Sequence, residues 1–217
     1  MSETDSFIEE VSEEVRRDRL FGYIRRYGWI AVLLVVLLVG GAAYNEWTKA
    51  SARAAAQARG DAILAALDAD TSADRQAALA EIDADGQSGA IIGLLAASEA
   101  VADEDADAAA AALQAIENDG ALPELYRQLA ILKRTILTAD STDPADRIAA
   151  LEPLTAPGAA FRVLAEEQIA LAEAETGDTD AALARLRALL NDTQATPGLR
   201  QRVNQLIVAL GGDPEQA

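Results

Sequence analysis

The chain has no cysteine and no histidine among its 217 residues. Without thiols it forms no disulfide and offers no thiolate nucleophile. Without imidazole it lacks the usual haem ligand, most zinc ligand sets and the commonest general base near neutral pH. Carboxylates are what remains of the acid–base repertoire, and no cofactor or metal is expected. Lysine occurs only at Lys49 and Lys133, aromatic residues make up 4%, and 18 basic side chains face 36 acidic ones, a net charge of −18. So little positive charge argues against nucleic acid as a partner, because phosphate binding needs a basic surface. The acidity is no tail: residues 50–217 hold 28 acidic and 12 basic side chains, which keeps that part soluble and repels anionic lipid.

What is present begins with an uncharged run from Tyr27 to Asn45. Eighteen helical residues, 27–44, span about 27 Å, close to the hydrocarbon thickness of a bilayer. The nine Leu, Ile and Val side chains between Ile30 and Val39 contribute about −3 to −5 kcal/mol of insertion free energy. Trp29, Ile30, Leu33, Leu34, Val36, Leu37 and Leu38 form the expected anchor. Tyr27 and Trp29 at one end and Tyr44 and Trp47 at the other supply aromatic belts. Arg25 and Arg26 abut the run, five arginines precede it and three basic residues follow. The positive-inside bias therefore puts the N-terminus in the cytoplasm and the remainder across the membrane. A cleaved signal peptide, cut near Gly41, Ala42 and Ala43, is the alternative, set against a long acidic leader unlike a signal's short basic one.

Residues 1–26 form that leader. In DSFIEEVSEEVRRDRLFGYIRR, Phe7, Ile8, Val11 and Val15 fall at helical spacing, Ser6 or Asp5 is a candidate cap, and acids precede arginines as the helix dipole favours. It reads either as a docking helix for a partner or as an extension of the anchor. Four segments follow from these patterns: a cytoplasmic amphipathic leader (1–26), a transmembrane anchor (27–45), a link helix running into the first repeat (46–68) and the rest of the exported domain (69–217).

The exported part repeats every 35 residues. Ile91, Tyr126 and Phe161 are 35 apart; so are Leu94, Leu129, Leu164 and Leu199; so are Val101, Ile136, Leu171 and Leu206. A second set, Leu113–Ile148–Leu183 and Ile116–Leu151–Leu186, takes the same step. Leu67, Leu79 and Ile82 give one degenerate copy upstream. Within a unit, each set marks one face of a helix, and polar breaks separate the two. Asp143 before Pro144 and Thr196 before Pro197 are N-cap signals. The unit is therefore a helical hairpin, and 197–210 form a lone helix that covers the last one.

Gly177, Asp178, Ala182, Leu183, Leu186, Leu189 and Leu190 resemble the turn and second helix of the tetratricopeptide repeat, although its first-helix Trp, Gly and Tyr are mostly missing. Together with the leader FIEEVSEEVRRDRL, the single anchor, the link helix and the closing Pro197 to Arg202, the layout resembles the proteobacterial YfgM-type ancillary subunit of the SecYEG translocon. The resemblance implies an all-α protein: a transmembrane helix, then a right-handed stack of tetratricopeptide-like hairpins with a C-terminal capping helix. It also implies an inner-membrane protein with a periplasmic domain, a non-enzymatic accessory that assists exported proteins or hands them to chaperones. An accessory or assembly subunit of another inner-membrane complex, respiratory or cytochrome-biogenic, is the second reading.

Catalytic or metal sites find little support. Asp103, Glu104, Asp105 and Asp107 lack the ligand order of a calcium loop. Glu166–Glu167 and Glu173–Glu175 read as exposed helix faces, and Gly86, Gly89 and Gly93 come without the strand and Lys of a phosphate loop. A concave groove lined by the first helices is the better site, with Arg127, Arg134, Arg162 and Glu166 as candidate contacts for an extended peptide. The expected partners are membrane and protein; oligomeric state is left open.

Overall fold

The computed structural model describes residues 3–213, with side chains from Arg25 onward except Ala31. It is all-helical, with no strand among the described residues. The helices are α1 Glu3–Leu67, α2 Ser72–Ala80, α3 Gly86–Ala102, α4 Ala106–Asn118, α5 Glu124–Leu137, α6 Pro144–Leu151, α7 Arg162–Glu175, α8 Thr179–Leu190 and α9 Pro197–Ala209, with a 3-10 turn at Glu152–Thr155 after α6. The chain divides into two units, residues 1–58 and 59–217, and the boundary falls within α1.

In the first unit, the expected docking face at Phe7, Ile8, Val11 and Val15 lies outside the residues whose side chains are described. The backbone is helical from Glu3, so Asp5 and Ser6 sit inside the helix rather than capping it. From Trp29 to Trp47 the large apolar side chains are exposed, Leu37 at 66%. An amphipathic helix of a water-soluble fold buries one stripe; this stretch buries none. The part Arg25–Leu67 is long and apolar enough to cross a membrane. Arg26 stands 6.0 Å from the Tyr27 ring centre, and the Tyr44 and Trp47 rings are tilted together at 6.3 Å.

In the second unit each helix packs on the next in chain order, from α2 with α3 through α8 with α9. The core is a series of layers. Ala66, Leu79 and Ile92 form the first; Ala97, Leu113, Ile116 and Ala130 the second; Leu132, Leu151, Leu154 and Ile169 the third; Leu186, Leu199, Val203 and Ile207 the last. Both cap signals are realised. The Asp143 carboxylate accepts the Ala145 N–H at 2.9 Å, and Thr196 Oγ1 accepts that of Leu199 at 3.2 Å. Each such cap stabilises its helix by about 1 kcal/mol. Alanines at 90, 97, 100, 130, 165, 172 and 182 are buried where helices cross, which is how a chain so poor in aromatics still closes a core. Ala182 is fully buried.

Two turns use one device. After α7, Gly177 takes φ +87°, the Asp178 N–H reaches the Glu173 carbonyl, and the Asp178 carboxylate caps α8. After α3, Glu104 occupies the same left-handed position at φ +58°, with Asp105 bonding Ala100 and capping α4. A side chain there is strained where glycine is not. Glu104→Gly is therefore expected to stabilise the second unit by about 1 kcal/mol, read as a melting temperature raised by roughly 2–4 °C.

One expectation changes. Val101 and Ile136, placed in the apolar face with Leu171 and Leu206, are 51% and 48% exposed, and the latter two are only half-buried. The position sits at the edge of the apolar stripe: Leu206 still packs against the cluster of Leu186, Leu199 and Ile207, while Val101 and Ile136 are open.

Candidate binding groove

The first helices of consecutive hairpins, α5, α7 and α9, enclose a groove of about 390 Å³. From α5 come Leu132 and Ile136; from α7, Leu164, Glu167, Gln168 and Leu171; from α9, Arg202, Gln205 and Leu206. The 35-residue step explains the arrangement: 132, 167 and 202 are equivalent positions, as are 136, 171 and 206. The second series makes an apolar ladder across three helices, and Val101 carries it to α3.

The first series changes character along the stack. Ala97 and Leu132 are buried apolar residues, whereas Glu167 is a carboxylate with 4% exposure in the equivalent place. Arg202, one repeat on, grips it with two parallel bonds, Nε to Oε1 at 2.9 Å and Nη2 to Oε2 at 2.8 Å. The fork geometry suits a buried carboxylate. Hydrogen bonding to Glu167 raises the Arg202 pKa further above its ordinary value, so the pair is a neutral unit of the groove, its carboxylate buried and its guanidinium half-exposed.

A second cavity of about 450 Å³ opens between α7 and α8, beside Arg162, Glu166, Glu173, Arg185 and Asp192. Its charges are spoken for. Arg185 bonds Glu173 through Nε at 3.1 Å and Nη2 at 2.7 Å, and bonds Glu166 through Nη1. Those carboxylates, Glu173 foremost, push the guanidinium pKa up against the opposing effect of burial. Arg162 bonds Asp192 at 2.5 Å and Gln194 at 3.0 Å. The Gln194 N–H and then Arg162 hold the Asp192 carboxyl below the usual range. The walls between are three alanines and Leu189. This cavity is a saturated ion-pair network bracing one hairpin, so the apolar groove is the stronger candidate.

The Asp192 shift carries a pH consequence. A depressed folded-state pKa means stability that is present above the unfolded value, near 3.9, and lost as pH falls through the folded one. Asp192→Asn is expected to cost stability evenly between pH 5 and 8. The gap to the parent closes below about pH 4, measurable by chemical denaturation across that range.

The four side chains anticipated for a groove are distributed. Arg134 pairs with Glu117 of α4 at 2.8 Å. Arg162 and Glu166 line the α7–α8 cavity, and Arg127 is half-buried with its Nε lacking a hydrogen-bond partner. The carboxylates weighed for acid–base work each hold an arginine: Glu166 and Glu173 hold Arg185, Glu167 holds Arg202, and Glu175 holds Arg147. Among the described residues no three or more Asp or Glu gather as metal ligands. The reading of Glu166–Glu167 and Glu173 as exposed helix faces is corrected: Glu167 is 4% exposed and the other two are mostly covered by Arg185; Arg202, Gln168 and Gln205 were passed over, although the 132–167–202 spacing was available.

No protein-family model matches the chain, and no solved structure does. A curated relative, deoxyhypusine hydroxylase of the fungus Gibberella zeae, is 37% identical over 93 residues, which is 43% of this chain and 27% of that protein. The chain thus spans about a quarter of that relative's length.

This match overturns several expectations. The named relative is a fungal enzyme, not a proteobacterial YfgM-type translocon subunit. With it go the non-enzymatic classification, the export-accessory, chaperone and scaffold roles, the respiratory or cytochrome-assembly alternative, and the bacterial inner-membrane and periplasmic placement. The physical reason is the looseness of the signals. An Ala- and Leu-rich period of 35 specifies paired helices, not one family of them, and an apolar run specifies no organism or compartment.

Proposed function

We propose that residues 59–217 form a tetratricopeptide-like stack of hairpins, closed by α9, that binds a polypeptide in the groove of α5, α7 and α9. The observation that carries this reading is the apolar ladder Ile136, Leu171 and Leu206, renewed at each repeat yet left partly open to solvent. Apolar residues that recur at one register and keep part of their surface open to solvent, as Ile136 does at 48% and Leu206 does while packing on the core beneath it, form a contact surface along the edge of that core. The relative's activity on deoxyhypusine belongs to a protein nearly four times the matched length. A second element of the reading concerns α1, whose uncovered apolar surface from Trp29 to Val39 crosses a lipid bilayer once. Resistance of the full chain to alkaline extraction from membranes, lost on Leu34→Arg with Leu37→Arg, tests that element.

The groove is tested by photocrosslinking. A photoreactive side chain at Ile136 or Leu206 is expected to give discrete polypeptide adducts in living cells, and one at the exposed Ala149 of α6 to give none. Equal yields at all three positions would refute the groove. Ile136→Asp is expected to weaken binding of a captured partner about tenfold, some 1.4 kcal/mol, without changing the melting temperature.

A further inference from the structure

The proposal that follows rests on the groove being a polypeptide site and names the chemistry of its occupant. We infer that the groove takes a basic amphipathic helix, with apolar side chains on one face and Lys or Arg beside them.

The helical form follows from backbone accounting. The groove is walled by three α-helices whose own backbone groups are bonded internally. An extended peptide laid on this floor leaves most of its N–H and C=O groups facing apolar side chains, with only the amides of Gln168 and Gln205 and the remaining N–H groups of Arg202 to meet them. Burying an unpaired amide is costly. A helix brings its backbone bonds satisfied and presents side chains alone. Apolar side chains repeated along one face of the occupant meet the rungs of the ladder.

The basic character follows from what borders each rung. The ladder residue lies near the carboxyl end of its helix, where the dipole is negative. Carboxylates stand within one or two turns beyond three of the four rungs: Asp103, Glu104 and Asp105 after Val101, Asp140 after Ile136, and Asp178 after Leu171, where Glu175 is already paired with Arg147. The one arginine of the groove lining, Arg202, is neutralised by Glu167. Behind this edge lies a domain with 28 acids against 12 bases from residue 50 onward, whose field draws cations and repels acidic chains. An acidic helix of equal apolarity fits the floor but meets like charge at the α3, α5 and α7 ends of the edge, where exposed Lys133 is the one opposing cation before Ile136.

The test uses the full chain in a neutral detergent and three fluorescent 18-residue peptides. One is a Leu/Lys helix with leucines at i, i+3, i+4 and i+7; another has Glu for every Lys; the last is a scramble of the first, of equal charge without an apolar face. Anisotropy at 50 mM salt is expected to show the first binding at least tenfold tighter than either of the others. That affinity falls at least threefold at 500 mM salt, and about tenfold on Val101→Asp with Ile136→Asp, both exposed positions. Asp140→Lys with Glu104→Lys weakens the Lys peptide and not the Glu peptide. Equal binding of the Lys and Glu helices overturns the charge assignment while leaving the groove intact. Equal binding of the scramble, or indifference to the ladder substitutions, shows attraction to net charge alone and overturns the proposal. Absence of photocrosslinks at Ile136 and Leu206 is the separate result that removes the groove itself.

Discussion

Replacing Arg185 by Ala is expected to destabilise the second unit by about 2–3 kcal/mol, the largest single-residue effect proposed for its surface. Arg185 is the sole described partner of both Glu166 and Glu173, which lie two turns apart on α7. Removing one member of a fully buried pair costs about 3–5 kcal/mol, because the other charge is left desolvated and alone. Here the three side chains keep between 12% and 27% of their exposure, so water recovers part of that loss and the lower figure applies. Two carboxylates are stranded rather than one, which keeps the effect above that of an ordinary surface bridge. Equilibrium unfolding in urea measures it. Glu166→Gln with Glu173→Gln in the Arg185→Ala background is expected to return more than half of the loss, since neutral amides do not need the guanidinium. If the single variant lost under 0.5 kcal/mol, the network would be surface decoration.

The same network shows how far the sequence alone could be read. Periodicity gave the paired helices, the caps at Asp143 and Thr196, and the buried Leu79, Ile116, Leu151 and Leu186. These depend on local rules: a side-chain oxygen before a proline, an apolar residue each turn. What it did not give was the partner of each arginine. Arg162 and Arg134 looked alike as cations on first helices, yet one reaches forward to Asp192 and the other back to Glu117. That choice depends on which turn passes nearby, a tertiary matter. Nor could the period tell a buried rung from an open one. Leu199 and Leu206 both recur at 35, and only the stacking buries the first to 1% while leaving the second part-open. Family and compartment were less legible still, because Ala-rich helical repeats satisfy the same pattern in proteins of different origin.

Substitution at the Glu167–Arg202 pair is expected to give opposite results depending on which member is changed. Arg202→Ala leaves a buried carboxylate with no described partner and should cost about 1–2 kcal/mol; the full buried-pair penalty does not apply because Arg202 is itself half-exposed. Glu167→Leu should be neutral or stabilising by up to about 1 kcal/mol, since a buried ion pair is often no better than a well-packed apolar residue. The fold already tests this one repeat earlier, where Leu132 fills the equivalent position with 4% exposure. The double variant Glu167→Leu with Arg202→Ala should therefore recover most of what Arg202→Ala loses, and urea unfolding of the three proteins closes the cycle. The groove separates the two roles of the pair. If Arg202 serves only to neutralise Glu167, the double variant keeps its affinity for a basic helix. If affinity rises when Arg202 alone is removed, the freed carboxylate has become a further contact for the occupant's cations, which is the direction the surrounding charge predicts.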